Sequence, residues 1–467
     1  MSPPFEGGNQ INTGFIQKKP ETNVISINVG GQLFQTTKQT LALSGSNSIL
    51  SKISSSSVYN EVTIPFIDRD PEIFSILLSL LRTGNLPSKA KVYDLQDLIF
   101  EAKFYGIESL LVNSVSNPSQ FEGFNLEKSF FLPLNGRDSV SVISTTPYGS
   151  IHVAHGSKIT SFDWSLNRKS TILTEFLAID SLVAIDSSLA AAGATDFSGL
   201  QILDLKNGFV KERVVWENQT RSSSTVQAIG TNGAHLFTSF ESGRRNSSSI
   251  MVFDINQGFK PVTEVGQHEI YGAEIDSGIP ATKLKWVDSF NLLMASGSHG
   301  GPSGITGNVK LWDLRSRKIY WEFNEKVDCF ADVTVCDDLG CIFKVGVNSV
   351  EVYFADMRKL SSEKPWVCIG DERKGFGKKK EGLGCKIESH GNQVFCSKNG
   401  DIELWSEVVL GNKGDGGDRL FRRNLMGRMK DMGKNRVTQI GFGGNKMIVS
   451  RKDEQCVEVW QSSVRGF

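Results

Sequence analysis

The chain has 467 residues, 39% of them hydrophobic and 22% charged, with basic and acidic side chains balanced at 51 each. That length holds two or three domains with a sizeable core, and the balance removes any global field that would draw nucleic acid or an anionic membrane. No apolar window approaches the roughly 20 residues a membrane-spanning helix needs, so the sequence reads as a soluble protein without a membrane span.

Residues 1–22 are polar and rich in Gly, Pro and Asn, and read as a disordered tail. They lack the basic and apolar regions of a secretory signal. All seven cysteines (329, 336, 341, 368, 385, 396, 456) fall in the last third with no CxxC pair. The odd count and the missing signal predict reduced thiols in a reducing compartment, the cytoplasm with the nucleus as a second location. In that setting the glycosylation sequons at Asn218 and Asn246 are chance matches.

A compact α/β region follows. In VISINVGGQLFQTT, Ile25, Ile27 and Val29 alternate with polar residues like a half-buried strand. Gly30-Gly31 is a two-residue hairpin signal, and QLFQTT is the return strand. The stretch FIDRDPEIFSILLSLLRTG (66–84) predicts a helix. Asp70 suits the N-cap and Pro71 the first turn. Glu72 and Arg82 complement the helix dipole, and Gly84 suits a left-handed end. Ile73, Ile76, Leu77 and Leu80 form one face, with Phe74, Leu78 and Leu81 beside it, so this helix is buried on nearly all sides. A second helical pattern covers VYDLQDLIFEAKFYGIESLL (92–111).

Taken together, INVGGQLFQTTKQTL, FIDRDPEIFSILLSLLRTG and LIFEAKFYGIESL resemble the potassium-channel-tetramerisation (T1-like, KCTD-like) type of BTB/POZ domain over roughly residues 24–112. The resemblance places the domain at 23–115, followed by a linker at 116–128. It implies self-association into a homo-oligomer, with Asp68, Arg69 and Asp70 at the subunit interface, although Asp70 caps its helix first. It also implies that Phe104, in EAKFYG, belongs to a cullin-facing surface; an ordinary buried aromatic is the equal alternative. The stretch SKISSSSVYNEVTIPFIDRDP (51–71) carries a serine run where many relatives of this type have a more charged loop, so subunit contacts are expected to differ. Some such domains hold zinc on His and Cys, but residues 23–115 contain neither, so composition excludes that site.

From about residue 130 one pattern recurs: KITSFDW, GLQILDL, SIMVFDI, NVKLWDL, SVEVYFA, DIELWSE and CVEVWQS. Aligned on Phe162, Leu203, Phe253, Trp312, Tyr353, Trp405 and Trp460, the copies are 41, 50, 59, 41, 52 and 55 residues apart. This array resembles WD40 repeats, which recur about every 40–45 residues, with longer loops. Seven copies predict an all-β seven-bladed propeller over 129–467. Only NVKLWDL matches strongly, and the last three copies as aligned lack the Asp. Too few residues follow the last copy for a fourth strand, so SFFLPL (129–134) is predicted to supply it and close the ring.

Chemistry-bearing motifs are few. There is no GxSxG and no phosphate loop. GFGKKK (375–380) reads as a propeller loop, whose Arg373, Lys374, Lys378, Lys379 and Lys380 are mostly solvated but could hold an anion or acidic peptide. His152 and His155 fall on opposite faces of a strand. Cys336 and Cys341 lack further ligands at zinc spacing. Asp163, Asp204, Asp254 and Asp313 read as turn formers, and the aromatic residues beside them as packing between blades. No catalytic residue, cofactor or metal is expected.

The BTB resemblance together with the propeller pattern resembles BTB/POZ adaptors of cullin-RING ubiquitin ligases, plant ones included. It implies a non-enzymatic substrate adaptor that self-associates, docks cullin-3 and presents an unidentified protein substrate on the propeller. The alternatives are an oligomeric scaffold without a ubiquitin role and a partner of channels.

Overall fold

The computed structural model describes residues 23–45, 48–56, 64–116, 121–218, 221–245, 247–269, 279–301, 304–361, 363–370, 382–398, 400–408, 419–426 and 435–462. The chain divides into two compact units after Ser114.

The first unit is built on a three-stranded sheet. Strand β1 (Val24–Val29) pairs antiparallel with β2 (Gln32–Thr37) and parallel with the short β3 (Phe66–Ile67). The predicted alternation holds: Ile25, Ile27 and Val29 are buried. Gly30 and Gly31 turn the hairpin with φ of 54° and 92°. A side chain at Gly30 would put its Cβ 2.4 Å from the Arg69 carbonyl, so only glycine lets the hairpin approach the chain leaving β3.

Helices α1 (Lys38–Ala42) and α2 (Ile49–Ser55) follow, capped by Thr37 and Ser48. Helix α3 (Pro71–Thr83) has the ends the sequence predicts. The Asp70 carboxylate accepts from the N–H groups of Glu72 (2.8 Å) and Ile73 (3.3 Å), and Gly84 closes the helix at φ 73°. Its seven large apolar side chains are all buried, each contributing about 1.5–3 kcal/mol against exposure.

The helix predicted over 92–111 is two. Helix α4 (Leu95–Tyr105) stops at Gly106, which is left-handed at φ 71°, and α5 (Glu108–Ser116) begins after Ile107. The break lets Gly106 lie against Ser48, 3.2 Å from the position a Cβ would take. Helical periodicity ran through the glycine because Ile107 and Leu111 stay buried after the turn.

In the second unit, seven four-stranded antiparallel sheets succeed one another among the described residues. We number these blades 1 to 7 in chain order. Their third strands are Lys158–Phe162, Leu200–Asp204, Ser247–Asp254, Gly304–Asp313, Val352–Asp356, Asp401–Val408 and Cys456–Ser462. Apolar clusters lie between successive blades, from blade 1 against blade 2 through to blade 6 against blade 7. A seventh cluster joins Ile448, Val457 and Val459 of blade 7 to Val140, Ile151 and Phe162 of blade 1, so the ring is closed. Phe162, Leu203, Phe253, Trp312, Trp405 and Trp460 each pack toward the preceding blade, as the sequence predicts for its aromatic residues.

The fifth copy requires a correction. Its third strand ends at Asp356, paired with Cys341 at the start of the second strand, so Ala355 rather than Tyr353 occupies the aligned position. Asp356 accepts from the N–H of Arg358 (2.9 Å), the bond Asp313 makes with Arg315 (3.0 Å) in blade 4. The Asp is therefore missing from the last two copies, not the last three. Small Ala355 in place of a large residue shifted the alignment by two.

Blades 6 and 7 share a different device. In blade 6, Glu403 is buried between Lys398 (3.4 Å) and Arg423, and Arg423 lies opposite Trp405 in the outer strand. In blade 7, Glu458 is buried between Arg451 (2.9 Å) and Lys128 (3.0 Å), and Lys128 lies opposite Trp460. The two triads occupy matching positions.

Lys128 belongs to the closing strand, Leu126–Pro133, which pairs antiparallel with Cys456–Ser462 as the fourth strand of blade 7. It starts at Leu126, earlier than the predicted 129. Upstream, Phe121 is already buried between blades 6 and 7, against His390 (4.6 Å), Phe442 (5.6 Å) and Phe395 (5.8 Å). Residues 121–128, within the predicted linker 116–128, thus include side chains packed into the second unit. Deleting 126–133 is expected to lower the propeller's melting temperature in calorimetry by roughly 10 °C or more; an unchanged transition would show that this strand does not hold the ring.

Candidate functional site

The residues the sequence singled out in the first unit converge only in part. Asp68 is exposed and Asp70 caps α3. Arg69 instead turns onto α4 of its own unit. Its Nη1 lies 3.3 Å from Oε1 of Glu101, and its guanidinium carbon sits 4.0 Å from the ring centre of Phe104 and 5.7 Å from that of Phe100. Phe100 and Phe104 are one helical turn apart on the same face of α4. Phe104 is half-buried, resting edge-on against buried Tyr105 at 5.0 Å, whereas Phe100 is 64% exposed. Phe66, three residues before Arg69, is 62% exposed. Phe100 and Phe104 with Arg69 thus form an aromatic surface with a guanidinium in it. Burial pushes the Tyr105 phenol well above its ordinary pKa, and the nearby Glu101 charge adds to this.

In the second unit the first strands of all seven blades surround a channel of about 660 Å³. Most of its wall is neutral, with Ile143, Val183, Gln227 and Gln439 among the lining residues. Blades 4, 5 and 6 contribute a cluster of charges. Lys283 donates to Asp332 (3.0 Å), Glu388 (3.2 Å) and the Ile387 carbonyl (3.3 Å). Lys285 pairs with Glu388 and also donates to Thr334 (2.9 Å) and Ser389 (3.1 Å). Each ammonium therefore has three acceptors, its full capacity. Burial alone would disfavour both charges of the Lys283–Glu388 pair. For Lys283, Asp332 and Glu388 reverse this and hold its pKa above the usual lysine range. For Glu388, the two lysines and hydrogen bonds from Lys285 and Thr334 hold its pKa well below the usual carboxylate range.

The sequence reading missed this cluster because its members lie about 50 and 100 residues apart. The one local signal was the alternation KLK at 283–285, which puts both lysines on one face of a strand.

The remaining candidates have structural work. His152 and His155 are buried and hydrogen-bonded to Ser161 and Thr160, each at 2.8 Å. Burial lowers both, His152 to about 4. Cys336 and Cys341 face each other across neighbouring strands of blade 5, and burial pushes their thiols up to about 11 and about 12. Asp163, Asp204 and Asp254 each accept a backbone N–H from two residues on at 2.9 Å, the tight-turn role expected of them. The Asn218 side chain is buried and donates to Ser247 (2.9 Å). Asn246, the basic residues Arg373, Lys374, Lys378, Lys379 and Lys380, and the loop at 57–63 lie outside the described residues. No described helix is long and apolar enough to cross a membrane.

Comparison with known proteins matches both units. Residues 25–115 fit the BTB/POZ domain model, and residues 135–462 fit the model described as At2g24240-like, C-terminal beta propeller. The chain belongs to the BTB/POZ proteins with an At2g24240-like C-terminal beta propeller. BTB/POZ domain-containing protein At5g41330 of Arabidopsis thaliana is 57% identical over 96% of this chain and 98% of its own length. BTB/POZ domain-containing protein At2g24240, also of Arabidopsis thaliana, is 26% identical over 94% of this chain and 97% of its own. BTB/POZ domain-containing protein KCTD3 of Homo sapiens is 25% identical over 72% of this chain and 40% of its own.

The charged cluster gives this BTB/POZ propeller a defined pH response. Glu388, whose pKa falls on folding, contributes stability above its unfolded pKa of about 4.3 and loses it as pH falls. Lys283, whose pKa rises on folding, contributes fully below its unfolded value of about 10.4 and loses it as pH rises through the folded one. Glu388→Gln should therefore destabilise the propeller by about 2–4 kcal/mol in denaturant titrations, less than a fully buried pair because the cluster keeps some solvent. That deficit should stay constant between about pH 5 and pH 10 and shrink on acidification below about pH 4.

Proposed function

We propose that this chain is a non-enzymatic adaptor that self-associates through its BTB unit, docks the N-terminal domain of cullin-3 and holds a protein substrate on its propeller. The observation that carries the reading is the aromatic surface of the BTB unit. Helix α3 buries all its apolar side chains, yet Phe100 stands mostly in solvent one helical turn from half-buried Phe104, with the Arg69 guanidinium against both rings. Large exposed aromatic side chains grouped on a well-packed module are what a protein-docking face presents. Self-association is the ordinary property of a BTB domain, and exposed Asp68 and Asp70 are available for charge pairing between copies.

The propeller supports a presenting role rather than catalysis. In its channel Lys283 and Lys285 bond to Asp332 and Glu388 with their ammonium donors filled, which leaves these four groups poorly suited to general acid–base chemistry. Holding a substrate beside a ligase-bound ubiquitin raises its effective concentration, and several propellers on one oligomer add avidity.

The test is co-purification of the full chain with the cullin-3 N-terminal domain, with mass read by light scattering. A complex of fixed stoichiometry is expected, and Phe104→Ala should weaken it roughly tenfold or more without changing the mass of the free oligomer. A discrete oligomer that ignores cullin-3 would replace the adaptor with a scaffold that has no ubiquitin role.

A further inference from the structure

We infer that Arg69 is a positioning residue for the docking face of the BTB unit and not a charge exchanged between subunits. This deepens the adaptor reading and rests on it for the identity of the partner, but its geometry stands alone.

The backbone of Arg69 is fixed first. Its N–H donates to the Ile67 carbonyl (3.0 Å), and its own carbonyl lies in the space that glycine at position 30 leaves open. From that anchor the side chain reaches α4, where Glu101 lies one residue after Phe100 and three before Phe104. Glu101 is only 7% exposed, and its Oε1 takes the guanidinium at 3.3 Å while its Oε2 has no hydrogen-bond partner among the described residues. If Arg69 swung out to a neighbouring subunit, a buried carboxylate would lose its only ion pair among the described residues. That penalty holds the side chain inward.

Held there, the guanidinium lies against Phe104 at 4.0 Å and also reaches Phe100 at 5.7 Å. A planar cation is suited to such contacts, and lysine, a compact point charge, would not reproduce them. Arg69 thus orders both aromatic side chains. Around them the exposed charges are mainly acidic: Asp68 and Asp70 beside Arg69, and Asp97 one turn before Phe100, while Lys103, next to Phe104, is paired with Glu108 at 3.4 Å. The partner surface that fits is apolar at its centre and basic at its rim. Asp68 and Asp70 remain available for contacts between subunits; Arg69 does not.

The test uses the full chain with 4-fluorophenylalanine at position 104. Arg69→Met is expected to shift and broaden the fluorine resonance, leave the oligomer mass unchanged and weaken cullin-3 binding roughly tenfold. Arg69→Lys should fail to restore either signal. Glu101→Gln, which keeps the shape of the pair, should move the resonance in the same direction by less, and it serves if Arg69→Met does not fold. Wild-type binding should weaken as salt rises if the acidic rim takes part. A fall in oligomer mass on substituting Arg69, or a fluorine resonance that does not move, would overturn the inference. If the wild-type chain does not bind cullin-3, the adaptor reading fails, and the resonance and mass still decide the role of Arg69.

Discussion

A propeller has no central core to fall back on. Each blade buries its apolar faces only against its two neighbours, so a ring that fails to close leaves two blades with a bare flank. Here closure rests on the eight residues Leu126–Pro133, which enter blade 7 from the opposite end of the propeller sequence. Leu132 joins the cluster between blades 7 and 1, Leu126 the cluster between blades 6 and 7, and Lys128 completes the buried triad on Glu458. One strand therefore seals two inter-blade wedges and neutralises a buried carboxylate together with Arg451.

The blades solve a common problem in two ways. Blades 1 to 5 end or follow the third strand with an aspartate that ties down the next turn through backbone N–H groups. Blades 6 and 7 have Ser406 and Gln461 after their tryptophans and instead bury a glutamate two residues earlier, fixed by one cation from the second strand and one from the fourth. Removing a single member strands a buried charge, which makes these blades less tolerant of substitution than their turn-tied neighbours. The channel cluster adds a second bias. Blades 4, 5 and 6 are tied together at their inner edges by ion pairs, whereas the opposite wall is neutral apart from Asp180.

Much of this was legible locally. The cap, first turn and closing glycine of α3 are fixed by short-range hydrogen bonding and backbone preference, and Asp70, Pro71 and Gly84 announce them within one segment. The propeller could be recognised because the third-strand pattern recurs, and the closing strand because the last copy lacks a partner. Failures came where a distant surface decided the outcome. Gly106 breaks a helical pattern because Ser48, far earlier in the chain, packs against it. Ala355 hid the blade 5 aspartate because alignment followed side-chain bulk while the strand follows backbone pairing. The contact of Arg69 with Glu101 had no signal near it in the sequence, since the two are 32 residues apart. The Lys283–Glu388 pairing was similarly invisible, since three separate blades have to assemble before it exists.

The position of the closing strand also imposes an order on biosynthesis. Lys128 and Glu458 are 330 residues apart, so a ribosome making about 5–20 residues per second leaves the closing strand without its partner for on the order of half a minute. The BTB unit emerges complete well before then and can fold while the propeller is still open. During that interval Leu126 and Leu132 of the waiting strand, buried in the closed ring, stay in solvent.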